Sequence, residues 1–227
     1  LYTALARMDV LTAGGNTKLS NLASNVMSIT VFLFNGTVLI PGAPVSGSAP
    51  GIELGEFSGG SNNSGTLILE DGADFTANIK YFTNESRLFI RSGSAFHTIS
   101  QDLQMNRHTI VRPCARIVVT GEGSLLDLKT YELMVRSDKA QCHIEDGGKL
   151  IAGNLHIGYT NHMWGTGSPA SDDTLVRFRN GTGVLSQDIE LGWNANLKCH
   201  ARLVLAGTNT SVTAAGKLRI HEKLAPS

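Results

Sequence analysis

Apolar residues along this chain come in pairs separated by one residue, and the pairs return in a fixed order. The leading pairs are Val31/Leu33, Leu67/Leu69, Leu88/Ile90, Ile117/Val119, Cys142/Ile144, Val176/Phe178 and Leu203/Leu205. A spacing of two places both side chains on one face of a strand, so each pair predicts a short strand. A turn follows each: Phe34-Asn35-Gly36, Glu70-Asp71-Gly72, Arg91-Ser92-Gly93, Thr120-Gly121, Glu145-Asp146-Gly147, Arg179-Asn180-Gly181 and Ala206-Gly207. Glycine accepts positive φ, and a short polar side chain bonds the local backbone, so these are corners.

An apolar anchor comes next, expected at Leu39, Phe75, Phe96, Leu125, Leu150 and Val184, with Val212 one residue late. A second pair closes each unit: Ile52/Leu54, Ile79/Tyr81, Leu103/Met105, Leu133/Val135, Leu155/Ile157, Ile189/Leu191 and Leu218/Ile220. Units of roughly 21 to 36 residues are too short to hold a core alone and sit in the range of solenoid repeats, which bury their apolar faces by stacking. The fold class expected is all-β, a parallel β-helix (β-solenoid) of about seven coils. A sandwich or jelly roll also has many short strands and glycine turns. Those folds vary turn type and strand direction, however, whereas one ordered pattern returns here.

Residues 1–28 precede the pattern and are expected to form an N-terminal cap or assembly segment, since a solenoid end exposes backbone and core. Residues 29–227 form the β-helix domain, with loop insertions at 41–51 and 159–173. The first is rich in proline and glycine, and the second carries His162, Trp164 and Pro169. Residues 221–227 contain no amphipathic helix to serve as a lid, so the far end is closed by this tail or by another molecule.

Composition narrows the partners. The formal charge is zero and the pI near 7.2, which points away from nucleic acid, because that partner needs a basic stripe. Charged residues are only 17% of the chain, and glycine numbers 25, as in β-rich secreted surface proteins. The most apolar stretch, 26–40, is too short and too interrupted to span a bilayer. The chain opens at Leu1 with no secretion signal, so a processed or trimmed start is expected. Five N-x-[ST] sequons, at Asn35, Asn62, Asn84, Asn180 and Asn209, are candidate glycosylation sites, although Asn35 and Asn180 also fill turn positions.

Three cysteines cannot form a complete intramolecular framework. Cys142 takes a core position and reads as a small buried apolar group. Cys114 and Cys199 fall on units three steps apart, about 14 Å along a regular rod, beyond the ~7 Å a disulfide tolerates. They are expected not to pair.

Residues between the paired positions face outward. On the closing strand these are Glu53, Lys80, Gln104, Met134, His156, Glu190 and Arg219, a face expected to be solvated. On the leading strand Phe32, Ile68, Phe89 and Val118 form an apolar stripe that should not meet water. Cover by the same chain, contact with another subunit, and a ligand groove compete as explanations. The second makes the stripe a candidate assembly face in a homo-oligomer or polymer.

No catalytic pair of carboxylates is evident on these outward ladders. Glu190 beside Arg219, and Asp71 with Asp74, read as solvated pairs or turn formers; His143 and His156 read as solvated or packed. Calcium nonapeptides, phosphate loops and zinc spacings are also missing, so neither a cofactor nor a metal site is expected. The best ligand candidates are aromatic. Tyr159 and Trp193 each follow a closing pair and a glycine, and with Trp164 they could offer a platform to a sugar ring; a structural aromatic stack is the plainer alternative.

The segments Ile52-Glu53-Leu54-Gly55 to Gly65-Thr66-Leu67-Ile68-Leu69, and Leu155-His156-Ile157-Gly158 to Thr174-Leu175-Val176, resemble the autotransporter-associated β-strand repeats of bacterial passenger domains. Shared are a strand ending in glycine, a variable glycine-rich link, then Thr-Leu and a polar-glycine corner. The resemblance covers roughly residues 29 to 220 and implies an extracellular β-helical stalk, adhesin or surface-layer component. The missing membrane barrel, the cysteines and the sequon surplus depart from it. The function expected is that of a non-enzymatic, secreted or surface-exposed structural protein that self-associates. The alternative is a carbohydrate-binding or carbohydrate-active β-helix.

Overall fold

The computed structural model describes side chains over residues 66–76, 86–99, 103, 115–135, 139–158, 174–192 and 201–221. It describes backbone alone at 3–8, 11–12, 17–18, 28–34, 37–39, 52–54, 64–65, 79–82, 104–105, 136 and 159. Among these residues the chain is all β, and its strands make three parallel sheets of eight strands each. Successive strands enter the first, second and third sheets in rotation, and each pairs with its counterparts one unit earlier and one unit later. This is the strand order that a parallel β-solenoid requires.

A central unit shows how sequence becomes structure. Arg116–Thr120 lies in the first sheet, Leu125–Asp127 in the second and Leu133–Arg136 in the third. They pair with Gln141–Glu145, Lys149–Ala152 and Leu155–Tyr159 of the next unit. Ile117 and Val119, Leu126, and Leu133 and Val135 point into the space between the sheets and are buried, while Arg116 faces out. Leu69, Ile90, Val119 and Ile144 are register partners in succession and are all fully buried. Each unit thus supplies one slice of a common core.

Left-handed residues make the corners between the first and second sheets. Asp71-Gly72, Ser92-Gly93 and Asp146-Gly147 have positive φ at both positions. Ala73, Ser94 and Gly148 then donate back to the carbonyls of Glu70, Arg91 and Glu145. A column of small residues follows. The buried hydroxyls of Ser94 and Ser124 accept from the N–H groups of Ala73 and Gly93 in the preceding unit, and at Gly181 a Cβ would stand 2.6 Å from the Ile144 carbonyl oxygen. Backbone approaches backbone there, and the sequence pattern did not reveal it.

Residues 1–28, expected as an N-terminal cap or assembly segment, contribute Thr3–Met8, Leu11–Thr12 and Thr17–Lys18 to the three sheets, and Ala6 and Met8 register with Val31 and Leu33. Three other expectations need correction. Anchors expected at Leu39, Leu125 and Val184 lie one residue away, at Val38, Leu126 and Gly183, which register with Phe75, Phe96, Leu150 and Val212. Val212 is therefore in phase, and Val184 is 40% exposed. A register shift between Ile52 and Glu53 puts Phe82, not Tyr81, opposite Leu54 and Met105. The third concerns the outward face of the third sheet, described below. The loop expected at 41–51, and residues 160–173 of the loop expected at 159–173, lie outside the described residues, as do Cys114 and Cys199; Tyr159 itself ends the strand Leu155–Tyr159.

Candidate functional site

Three regions carry polar chemistry or unfinished packing, and all three are built by the sheet register. On the first sheet, Phe32, Ile68, Phe89 and Val118 are successive register partners, and the series continues through His143, Arg177 and Val204. Ile68 is buried at 8% exposure, and Phe89 and Val118 are half-buried; the side chain of Phe32 lies outside the described residues. Ile68, Phe89 and Val118 of the stripe read from the sequence therefore share one register column.

Below it the column turns polar. His143 is buried, with Nδ1 3.2 Å from Glu145 Oε1 and Nε2 3.1 Å from Gln141 Oε1. Glu145 also takes Arg177 and, at 3.3 Å, Arg179, which reaches Asp146 at 2.9 Å. Burial lowers the His143 pKa against the opposing hydrogen bond to Glu145, and the charges of Arg116 and Arg177 push it the same way. For Glu145 burial alone would raise the pKa. Hydrogen bonds from Arg177 and His143, and the charges of Arg177 and Arg179, outweigh it and leave the carboxyl below its ordinary value.

The outward face of the third sheet was expected to be solvated, yet His156 and Glu190 are only 7% and 5% exposed. Met134, His156, Glu190 and Arg219 are successive register partners. Glu190 accepts from Arg219 at 3.0 Å, with His156 and His221 each 3.8 Å from its other oxygen. Arg219 also pairs with Asp188 at 2.8 Å. Asn154 joins three units at the neighbouring corner: its amide donates to Glu132 and Gln187, and its oxygen accepts from the Asp188 N–H. Reading Glu190 and Arg219 as an ordinary solvated pair missed this, because its partners lie about 30 residues apart. Outward polarity in the sequence carries no mark of burial.

Expected candidates separate as follows. Tyr159 ends its strand opposite Arg136, and Gly158 and Gly192 before the two aromatics share a positive φ, 77° and 72°. Trp164, Trp193, Asn35, Asn62, Asn84 and the Tyr159 side chain lie outside the described residues. Asn180 is a left-handed corner residue whose N–H donates to Ala206 O and Thr210 Oγ1. Asn209 is exposed on the last corner. Cys142 is fully buried, and burial pushes its thiol up to about 12. Among the described residues no helix is long and apolar enough to cross a membrane, and no group of three or more His, Cys, Asp or Glu could hold a metal ion.

The third region is the end of the core. Core columns that are closed through the middle units finish at Leu205, Leu218 and Ile220, which are 55%, 62% and 73% exposed. Leu205 sits on Ala201–Ala206, the last strand of the first sheet, and Leu218 and Ile220 on Leu218–Ile220, the last of the third; Ser211–Ala214 is the last strand of the second. Comparison of the chain with known proteins found no matching family model, curated protein or solved structure.

Proposed function

We propose that this chain is a structural β-solenoid of eight coils, working outside the cell or at its surface, whose copies stack end to end into a stalk, filament or layer. The observation that carries this reading is the exposure of Leu205, Leu218 and Ile220, on the last described strands of the first and third sheets, beside units whose core is buried. Where these strands end the rod, apolar surface of this kind marks an interaction site, and among the described residues the last strand of each sheet is paired on one side only.

Parallel pairing makes the two ends of such a rod complementary. The edge offered by Ala201–Ala206 takes a strand of the same direction, and Thr3–Met8 lies at the opposite edge of the same sheet. The second and third sheets end in the same way. Such a contact is head-to-tail and does not close on itself, so it propagates. The extracellular setting rests on composition and on the resemblance to passenger-domain repeats.

Light scattering coupled to size-exclusion chromatography tests the reading. Mass should rise with concentration for the native chain and stay at one protomer for the double variant Leu218→Lys, Ile220→Lys. A native chain that stays monomeric up to high concentration contradicts it.

A further inference from the structure

The first sheet gathers arginine on its outer face to a degree that the neutral overall charge conceals. Arg87, Arg91, Arg116, Arg177, Arg179 and Arg202, six of the chain's eleven arginines, take outward positions on four of its strands. Arg91, Arg177 and Arg179 are balanced by Glu70, Glu145 and Asp146. Arg87 and Arg116 are not. They are register partners on adjacent strands, both exposed, and no carboxylate pairs with either among the described residues. Like charges set directly opposite one another across strands destabilise a sheet. An anion held between two guanidinium groups about 4.8 Å apart removes that repulsion.

We propose that this face binds an acidic polysaccharide, with Arg87 and Arg116 gripping its carboxylate or sulfate groups. The surroundings select sugar over nucleic acid. Glu70, Thr120, Gln141 and Glu145 occupy the same face; they suit a hydroxyl-rich polymer with spaced charges and oppose one carrying a phosphate every ~1.7 Å of axis. A broad sheet also cannot enter a groove that admits a helix or a two-stranded ribbon. Phe89, half-buried between Arg87 and Arg91 on its strand, provides an apolar surface for a sugar ring. This inference rests on the register of the first sheet and is independent of end-to-end stacking.

Binding of the full chain to immobilised dextran sulfate and to polygalacturonate tests it, with uncharged dextran and duplex and single-stranded DNA alongside. At least one acidic polysaccharide should bind, less tightly as salt rises, while uncharged dextran does not. Arg87→Gln with Arg116→Gln should weaken binding at least about tenfold. Lys149→Gln, an exposed change on the second sheet, should leave it unaltered. Because both arginines are exposed and their mutual repulsion is removed, the double variant should keep the native circular dichroism and melt no lower than the native chain. Unchanged binding in the arginine variant, no binding to either acidic polysaccharide, or tighter binding to DNA than to both would overturn the proposal.

Discussion

Gly183 and Phe178 share one volume. Gly183 stands in the anchor column between Leu150 and Val212, and a Cβ there would come 2.8 Å from Phe178 Cε1. Phe178, in turn, succeeds Ile144 in its own column and is fully buried, so the larger side chain on one strand fills the space left by the smaller one. Gly183→Ala should therefore destabilise the fold by about 1–3 kcal/mol through overpacking. Adding Phe178→Leu should recover part of the loss, a coupling that a double-mutant cycle in denaturant unfolding would detect. Additive losses would show that the two sites are independent.

That exchange also marks where sequence reading stopped. Alternation of apolar residues revealed the strand pairs, and glycine after a short polar residue revealed the corners, because both rules are local. The anchor at Gly183 was invisible locally, since what replaces its side chain sits on another strand. Leu126 was displaced from Leu125 for a related reason: both neighbours are leucine, and only pairing with Phe96 and Leu150 decides which points inward. The candidate site followed the same division. The Phe32, Ile68, Phe89 and Val118 column was legible from spacing; the burial of Glu190 and the pairing of Arg87 with Arg116 depend on register between units.

Cys142 offers a test of core closure. With its thiol fully buried and its pKa raised from 9.0 to about 12, almost no thiolate forms near neutral pH. Alkylation mapped by peptide mass spectrometry should leave Cys142 unmodified in the native chain and modify it fully after unfolding. Rapid labelling under native conditions would show that the core is open there.

The stability of the first sheet should fall on acidification. Because folding lowers the His143 pKa, its contribution is fully present above the ordinary value of 6.5 and declines as pH falls through that value toward the folded one. Glu145 acts in the same direction lower down, below its ordinary 4.5. The groups facing His143 are Gln141, Glu145, Arg116 and Arg177. Between about pH 7.5 and about pH 5.5 the native melting temperature should drop more than that of His143→Gln. Parallel pH profiles would contradict the assignment.

Asn154 should matter more than a corner residue on the surface usually does. It donates to Glu132 of the preceding unit and Gln187 of the following one and accepts from Asp188 beside Gln187, so Asn154→Ala removes three hydrogen bonds and should cost about 1–3 kcal/mol. Chemical denaturation measures this, and a change within a few tenths of a kcal/mol would assign those bonds to solvent exchange.

Electron microscopy of the purified native chain over a range of concentrations tests end-to-end stacking most directly. Eight strands per sheet about 4.8 Å apart give this chain a repeat on the order of 40 Å. Rods whose lengths increase in steps of that size, and which the Leu218→Lys, Ile220→Lys variant fails to form, are the expected result. Separate particles of a single protomer length at every concentration would contradict the account.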